Sequence, residues 1–323
     1  MKKAVIEGEG KAGLTDVADP VPRQDWVVVK VHTAPMCTEY KGFLGGYPST
    51  TLGHEAAGEV VDVAQPGQVA VGDRVVVMPG YPCGICRLCL SGEYIHCEQM
   101  VDVSAFTEGG EGQATMAQYL LKPDWLLPKI CDSISFDHGS LACCGLGPSF
   151  GALHRMEVTA LDTVLITGLG PVGLGGVINA VYRGARVIAV DGQPWRAQRA
   201  LDLGAEVVLA PDDTTLETIR DHTDGKGVHK ALDCSGNVAA HRLCIDAARR
   251  RGQVAFVGEC SDETSICISP DMIRKGLTLV GSWHYNRRDA EAILRIIEER
   301  PTVMDQLISH TFPMTDVQQA FEL

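Results

Sequence analysis

Two hydrophobic rhythms divide the chain. Up to about residue 144, short β-branched runs at 3–6, 26–32, 58–63 and 73–78 alternate with Gly and Pro turns and show little helical periodicity, the pattern of short strands. This half predicts a compact antiparallel barrel. From residue 162 the rhythm changes. The apolar run 164–167 reads as a buried strand, a helical apolar pattern extends through Ala180 and Val181, and a second buried strand at 187–190 ends at Asp191. Helices at 194–203 (stopped by Gly204) and 214–222 then alternate with strands at 206–209, 230–234, 253–257 and 277–282. A surface helix is expected at 289–299. The fold class is α/β: a Rossmann doubly wound parallel sheet of six strands beside a β-rich domain.

Between the first two strands of the parallel half lies Gly168-Leu169-Gly170-Pro171-Val172-Gly173. A G-x-G-x-x-G turn by itself says little, but here it joins a strand to a helix and the next strand closes on an acid. Gly168 permits the tight turn, Gly170 a close approach to a pyrophosphate, and Gly173 close helix–strand packing. The helix start attracts phosphate charge. Asp191 can accept from both ribose hydroxyls of adenosine and repels a 2′-phosphate, which favours NAD over NADP. Arg196 reaches the same region and softens that preference. Ser235 and Gly258 follow strand ends, where open parallel sheets bind ligands, and are candidates for the nicotinamide side. A purely structural αβ turn is the alternative.

Composition narrows the function. The chain has 323 residues, 45% of them hydrophobic and 21% charged, with a net charge of −13, enough for about two domains. Acidity without a Lys/Arg run argues against nucleic acid or anionic membranes as partners. No apolar leader core follows Met1, and no run approaches the ~20 residues of a spanning helix. A cytoplasmic chain is expected.

Twelve cysteines in such a chain point to metal rather than disulfides. Cys83-x2-Cys86-x2-Cys89-x7-Cys97 can close a tetrahedron around zinc with no position left for substrate, a structural site. Four free thiols or an iron–sulfur cluster are the alternatives, although the spacing departs from ferredoxin patterns. Cys37, His54 and Cys144 are more dispersed. Together they offer thiolates and an imidazole suited to a catalytic zinc with an exchangeable position, with Glu55 as an outer group or interchangeable ligand.

Cys37, GHEAAGEV at 53–60, the four-cysteine lobe at 83–97, GLGPVG at 168–173 and Asp191 together resemble the zinc-dependent medium-chain dehydrogenase/reductase family, which includes alcohol, sorbitol and threonine dehydrogenases. The resemblance covers nearly the whole chain. It implies a GroES-like catalytic domain at 1–144, a Rossmann NAD-binding domain at 145–283 and a segment at 284–323 returning to the catalytic domain. It implies two zinc ions per chain, one catalytic and one structural, NAD as cofactor, an alcohol or carbonyl substrate, and homo-oligomers (dimers or tetramers) as in relatives. By this match Cys37, His54 and Cys144 fall on catalytic-zinc ligands, with Glu55 beside them. Cys144 fits better than Cys143 by its distance from Gly168.

Three departures from the family pattern carry information. Glu39 stands where the family usually has the Ser or Thr that begins a proton relay. Either Thr38 supplies the hydroxyl and Glu39 an outer-shell carboxylate, or Glu39 relays the proton itself. The span from Cys37 to His54 is short, so the substrate pocket should differ; Glu39, Tyr40, Trp283 and His284 suit a polar pocket, whereas Cys144, standing where polyol dehydrogenases of the family carry Glu, leans toward simpler alcohols. The sequence also stops at Leu323 where relatives typically continue, either because the protein is short or because the sequence is truncated; a missing tail would be expected to cost stability and cofactor affinity. The implied activity is reversible alcohol oxidation by hydride transfer to NAD. Rival readings are a non-catalytic NAD(H)-binding redox sensor and, more weakly, a quinone reductase, whose relatives lack both zinc sites.

Overall fold

The β-branched runs become strands. The computed structural model describes residues 1–323, which divide into two units, Met1–Cys143 with Asn286–Leu323, and Cys144–Tyr285. In the first unit a hairpin pairs β1 (Lys2–Gly8) with β2 (Lys11–Asp16). A four-stranded antiparallel sheet follows, from β3 (Trp26–Thr33), β4 (Ala56–Asp62), β5 (Arg74–Val77) and β6 (Tyr119–Pro123), in the order β5-β4-β3-β6. β3 is apolar on both faces for a reason. Val27 and Val29 join Val60, Val75, Val77 and Leu120 in one cluster. Trp26 and Val28 point the other way, into Val103, Leu121, Tyr81 and Phe106. Val29 lies opposite both Val60 and Leu120, and all three are fully buried.

Two strands escape the hydrophobic pattern. β2 reads KAGLTD, half-buried at best, and takes its conformation from pairing with β1. β6 lies at the sheet edge and ends on Pro123, a residue tolerated there because no ladder partner needs its missing N–H. The helix expected at 289–299 forms over Ala290–Glu299, but it is not a surface helix all round: Ile293, Ile296 and Ile297 are buried. The last helix, Val317–Glu322, packs Phe321 onto Phe43 with ring centroids 5.0 Å apart. Gln318 adds polar clamps to the hairpin: its Oε1 accepts from Ala12 N at 2.7 Å and its Nε2 donates to the Gly10 carbonyl at 3.0 Å.

The second unit is a parallel sheet of β7 (Thr163–Thr167), β8 (Arg186–Val190), β9 (Val207–Leu209), β10 (Val228–Asp233), β11 (Ala248–Phe256) and β12 (Thr278–Gly281). Its order, β12-β11-β10-β7-β8-β9, reverses direction between β7 and β10, the doubly wound Rossmann arrangement, whose ligands lie at the strands' carboxyl ends near that reversal. All five residues of β7 are buried, which explains its unbroken apolar run. The helix Pro171–Tyr182 carries buried Asn179, whose Nδ2 donates to the Leu146 carbonyl at 2.9 Å and to Ser149 Oγ at 3.0 Å. These bonds fix the turn that follows Cys144. No helix is long and apolar enough to cross a membrane.

Candidate metal centres and nucleotide site

The cysteine lobe is built from a loop and one short helical turn, Arg87–Leu90. The sulfurs of Cys83 and Cys97 lie 3.5 Å apart, Cys86 and Cys89 3.5 Å, Cys86 and Cys97 3.8 Å, and Cys83 and Cys89 4.0 Å. Four thiolates around one zinc at about 2.3 Å would stand about 3.8 Å from each other, so this donor set fits the ion without rearrangement. Backbone N–H groups of Cys83 and Gln99 point at Cys97 Sγ, and that of Cys86 at Cys83 Sγ, at 3.3–3.4 Å. Such donors stabilise sulfur as thiolate. The backbone N–H at Cys89, with the neighbouring thiols, lowers the Cys86 pKa to about 6, while burial and the bond to Cys86 push that of Cys89 up.

Within the first unit, donor atoms of Cys37, His54 and Glu55 form a second cluster, all within 4.8 Å of one another. Cys37 follows β3 and precedes the helix Glu39–Gly45. Gly53, just before His54, has φ +83°, and a Cβ there would meet Thr115 Oγ1 at 2.2 Å, so the turn that presents the imidazole requires glycine. Cys144 is joined by a peptide bond to Cys143, the last residue of the first unit's long segment. The adjacent cysteine is different: Cys143 is fully buried, its thiol faces the Val77 carbonyl at 3.2 Å, and burial pushes its pKa up. A buried thiol held protonated is a packing group, whereas Cys144 is only half-buried.

Glu39 organises this cluster. Its Oε2 accepts from the Cys37 backbone N–H at 2.8 Å and its Oε1 lies 2.8 Å from His54 Nδ1. With Nδ1–H donated to the carboxylate, Nε2 is the lone-pair nitrogen offered to a cation. Hydrogen bonds to Cys37 and then Glu39 raise His54 to about 10, so without a cation Nε2 carries a proton at neutral pH that a metal must displace, and the His54 bond holds Glu39 below its usual range against the opposing effect of burial. A field that so favours a second imidazole proton equally favours a divalent cation. Thr38 is the exposed N-cap residue of the Glu39–Gly45 helix, and its hydroxyl makes no capping bond. Tyr40 is exposed.

At the glycine loop the three glycines separate by role. Gly168 has φ +80°, and a Cβ on Gly173 would lie 1.8 Å from the Gly168 carbonyl oxygen. A Cβ on Gly170 would meet no protein atom within 4 Å. Protein packing therefore leaves room above Gly170 for a bound group, the arrangement a pyrophosphate needs at the helix N-terminus. Pro171 and Val172 open that helix, where a missing N–H costs nothing. Asp191 braces the loop: Oδ2 accepts from Leu169 N at 2.6 Å and Oδ1 from Gln193 N at 2.7 Å, each oxygen keeping a further lone pair. Arg196 stacks its guanidinium 5.1 Å from the Trp195 ring centroid, and its Nε is buried without a hydrogen-bond partner.

Ser235 and Gly258 sit beyond β10 and β11, and both are tied to Asp233. Ser235 Oγ donates to Asp233 Oδ1 at 2.6 Å, and Gly258 N to the Asp233 carbonyl at 3.1 Å. Fully buried Asp233 also accepts from Thr167 Oγ1 at 2.8 Å and Gly236 N at 3.0 Å, and faces His241 Nε2 at 3.2 Å. Sequence reading passed over this carboxylate. Its signal was an acid ending an apolar strand just before Ser-Gly.

Comparison with known proteins follows the same division. The family model described as "Alcohol dehydrogenase GroES-like domain" matches residues 23–132, and "Zinc-binding dehydrogenase" matches residues 171–299. An L-threonine 3-dehydrogenase of Symbiobacterium thermophilum is 31% identical over 98% of this chain and 92% of its own length. An erythritol/L-threitol dehydrogenase of Mycolicibacterium smegmatis is 29% identical over 100% of this chain and 94% of its own. Among solved structures, the alcohol dehydrogenase TADH from a Thermus species superposes with a TM-score of 0.89 at 25% identity, covering 100% of this chain and 96% of that one.

Proposed function

The chain belongs to the zinc-dependent medium-chain dehydrogenase family, and from that premise we propose that it is an NAD(H)-dependent oxidoreductase interconverting a small alcohol and its aldehyde or ketone. The observation that carries the reading is the convergence of Cys37, His54 and Glu55 within 4.8 Å, to which the proposal adds Cys144 as a further ligand. Two thiolates, one imidazole and one carboxylate exceed the three protein ligands of an open zinc site, so one donor, Glu55 by its interchangeable role, can give way to substrate. The proposed content is two zinc ions per chain, the second in the four-cysteine lobe.

When bound, the catalytic zinc supplies Lewis acidity that lowers the pKa of an alcohol. The nicotinamide supplies the hydride acceptor. The protein's own residues do the rest. Glu39 fixes the His54 ring and the backbone at Cys37. With Glu39 occupied in that way, the Thr38 hydroxyl is the better carrier for the proton that leaves the substrate, since it makes no capping bond. The Gly168 loop and the first turn of the Pro171–Tyr182 helix hold the pyrophosphate, and Asp191 selects an unphosphorylated ribose, hence NAD over NADP. Arg196, with a buried Nε lacking a partner, adds a polar contact beside that ribose.

Within alcohols, a vicinally hydroxylated substrate is favoured. The relatives named for L-threonine and for erythritol or L-threitol carry names of compounds with neighbouring polar groups, and Glu55 places a carboxylate in the metal cluster. The test is a panel of simple alcohols, diols and polyols assayed with NAD and NADP, alongside zinc content. Two zinc per chain with alcohol-dependent NADH formation is the expected result. Cofactor binding without turnover of any alcohol would overturn it.

A further inference from the structure

We propose that His284 is a positioning residue for the catalytic metal, donating its Nε2–H to the Cys144 thiolate; this rests on the metal-site reading above. His284 Nε2 lies 3.8 Å from Cys144 Sγ, within reach of an N–H···S bond. A thiolate can only accept, which assigns the proton to Nε2.

The imidazole is held there deliberately. His284 is 5% exposed and has φ +58°, a left-handed conformation that a non-glycine side chain rarely adopts. The strain is maintained by packing within the same unit. A Cβ on Gly151 would come within 2.4 Å of the His284 carbonyl oxygen, so the helix Gly147–Arg155 presses directly on this backbone. The ring stacks on buried Tyr285 with centroids 5.0 Å apart. Such a conformation persists only where the surrounding structure over-determines it, as the packing of Gly151 and Tyr285 does here. Chemically, an N–H directed at sulfur withdraws electron density, orients the lone pair and opposes protonation of the ligand.

The experiment replaces zinc with cobalt in wild type, His284→Asn and His284→Gln, and reads the sulfur-to-cobalt charge-transfer band and metal retention against a chelator. Asn tolerates the left-handed backbone but is too short to reach the sulfur, so it removes the donor with little strain. The four-cysteine lobe contributes equally to all spectra and cancels in the difference. In His284→Asn the band should move to longer wavelength and retention at the open site should weaken about tenfold or more. His284→Gln, which keeps an N–H donor, should lie between the two. A band that does not move in His284→Asn, whatever happens to thermal stability, overturns the inference and leaves the metal site standing. Wild type that takes up one metal per chain overturns both.

Discussion

Glu39 Oε1 lies 2.8 Å from His54 Nδ1 while its other oxygen holds the Cys37 backbone N–H at 2.8 Å. One carboxylate therefore sets both the tautomer of an imidazole and the backbone of a thiolate ligand. This geometry supports the outer-shell alternative for Glu39 over the direct relay.

Glu39→Gln preserves an acceptor for Nδ1–H but removes the charge. The expected outcome is metal retention at the open site weakened about 10–100-fold, with the four-cysteine site unaffected. Chelator competition with element analysis checks it. Thr38→Ala should instead leave metal content at the wild-type level and depress turnover. Full activity in Thr38→Ala would return the relay to Glu39.

The cysteine pair separates packing from ligation. Cys143→Ala should keep both metals and cost about 1 kcal/mol of stability, the ordinary effect of one substitution. Cys144→Ala should lose one metal per chain and nearly all turnover. Metal counts with the two outcomes exchanged would reassign the ligand to Cys143.

Asp191→Ala removes the acceptor for two backbone N–H groups, Leu169 and Gln193. Hydrogen bonds to a charged group contribute about 1.5–3 kcal/mol each, so a lower thermal midpoint is expected. NAD affinity should fall and the preference over NADP should narrow. Isothermal titration with both dinucleotides decides the matter, and an unaltered preference would remove Asp191 from ribose selection.

Lys122 gives a pH signature independent of the metal. It is buried in β6, its Nζ donates to the Gly80 carbonyl at 2.6 Å and lies 4.1 Å from the Tyr81 ring centroid, and desolvation lowers its pKa from 10.5 to about 7. Between those values the unfolded chain binds the proton that the folded protein has released, so this group makes stability rise with pH across that window. Below about 7 both states are charged and the penalty is complete. Lys122→Met should flatten the rise, as read from urea midpoints at pH 6 and pH 9. Parallel curves for the two proteins would count against it.

How much of this was legible beforehand depends on the range of the interactions. The Gly168 loop, its flanking strands and Asp191 form one contiguous stretch whose chemistry is local, and the structure reproduces it almost residue for residue. The four-cysteine lobe is equally local. β2 and β6 were not legible, because strands of mixed polarity form only when a neighbour supplies the ladder. The buried face of Ala290–Glu299 was hidden as well: an amphipathic pattern does not say what lies against it.

By itself the sequence determined the two rhythms, the spacing of the four-cysteine lobe and the strand–glycine turn–helix unit at Gly168, since each depends on residue type and spacing along the chain. Tertiary structure decided that Cys143 is buried against Val77 while Cys144 stays half-buried, that Glu39 turns towards His54 and Cys37, and that His284 meets Cys144. Those facts follow from distances between residues far apart in the chain, and such distances are set by packing, which no local pattern encodes.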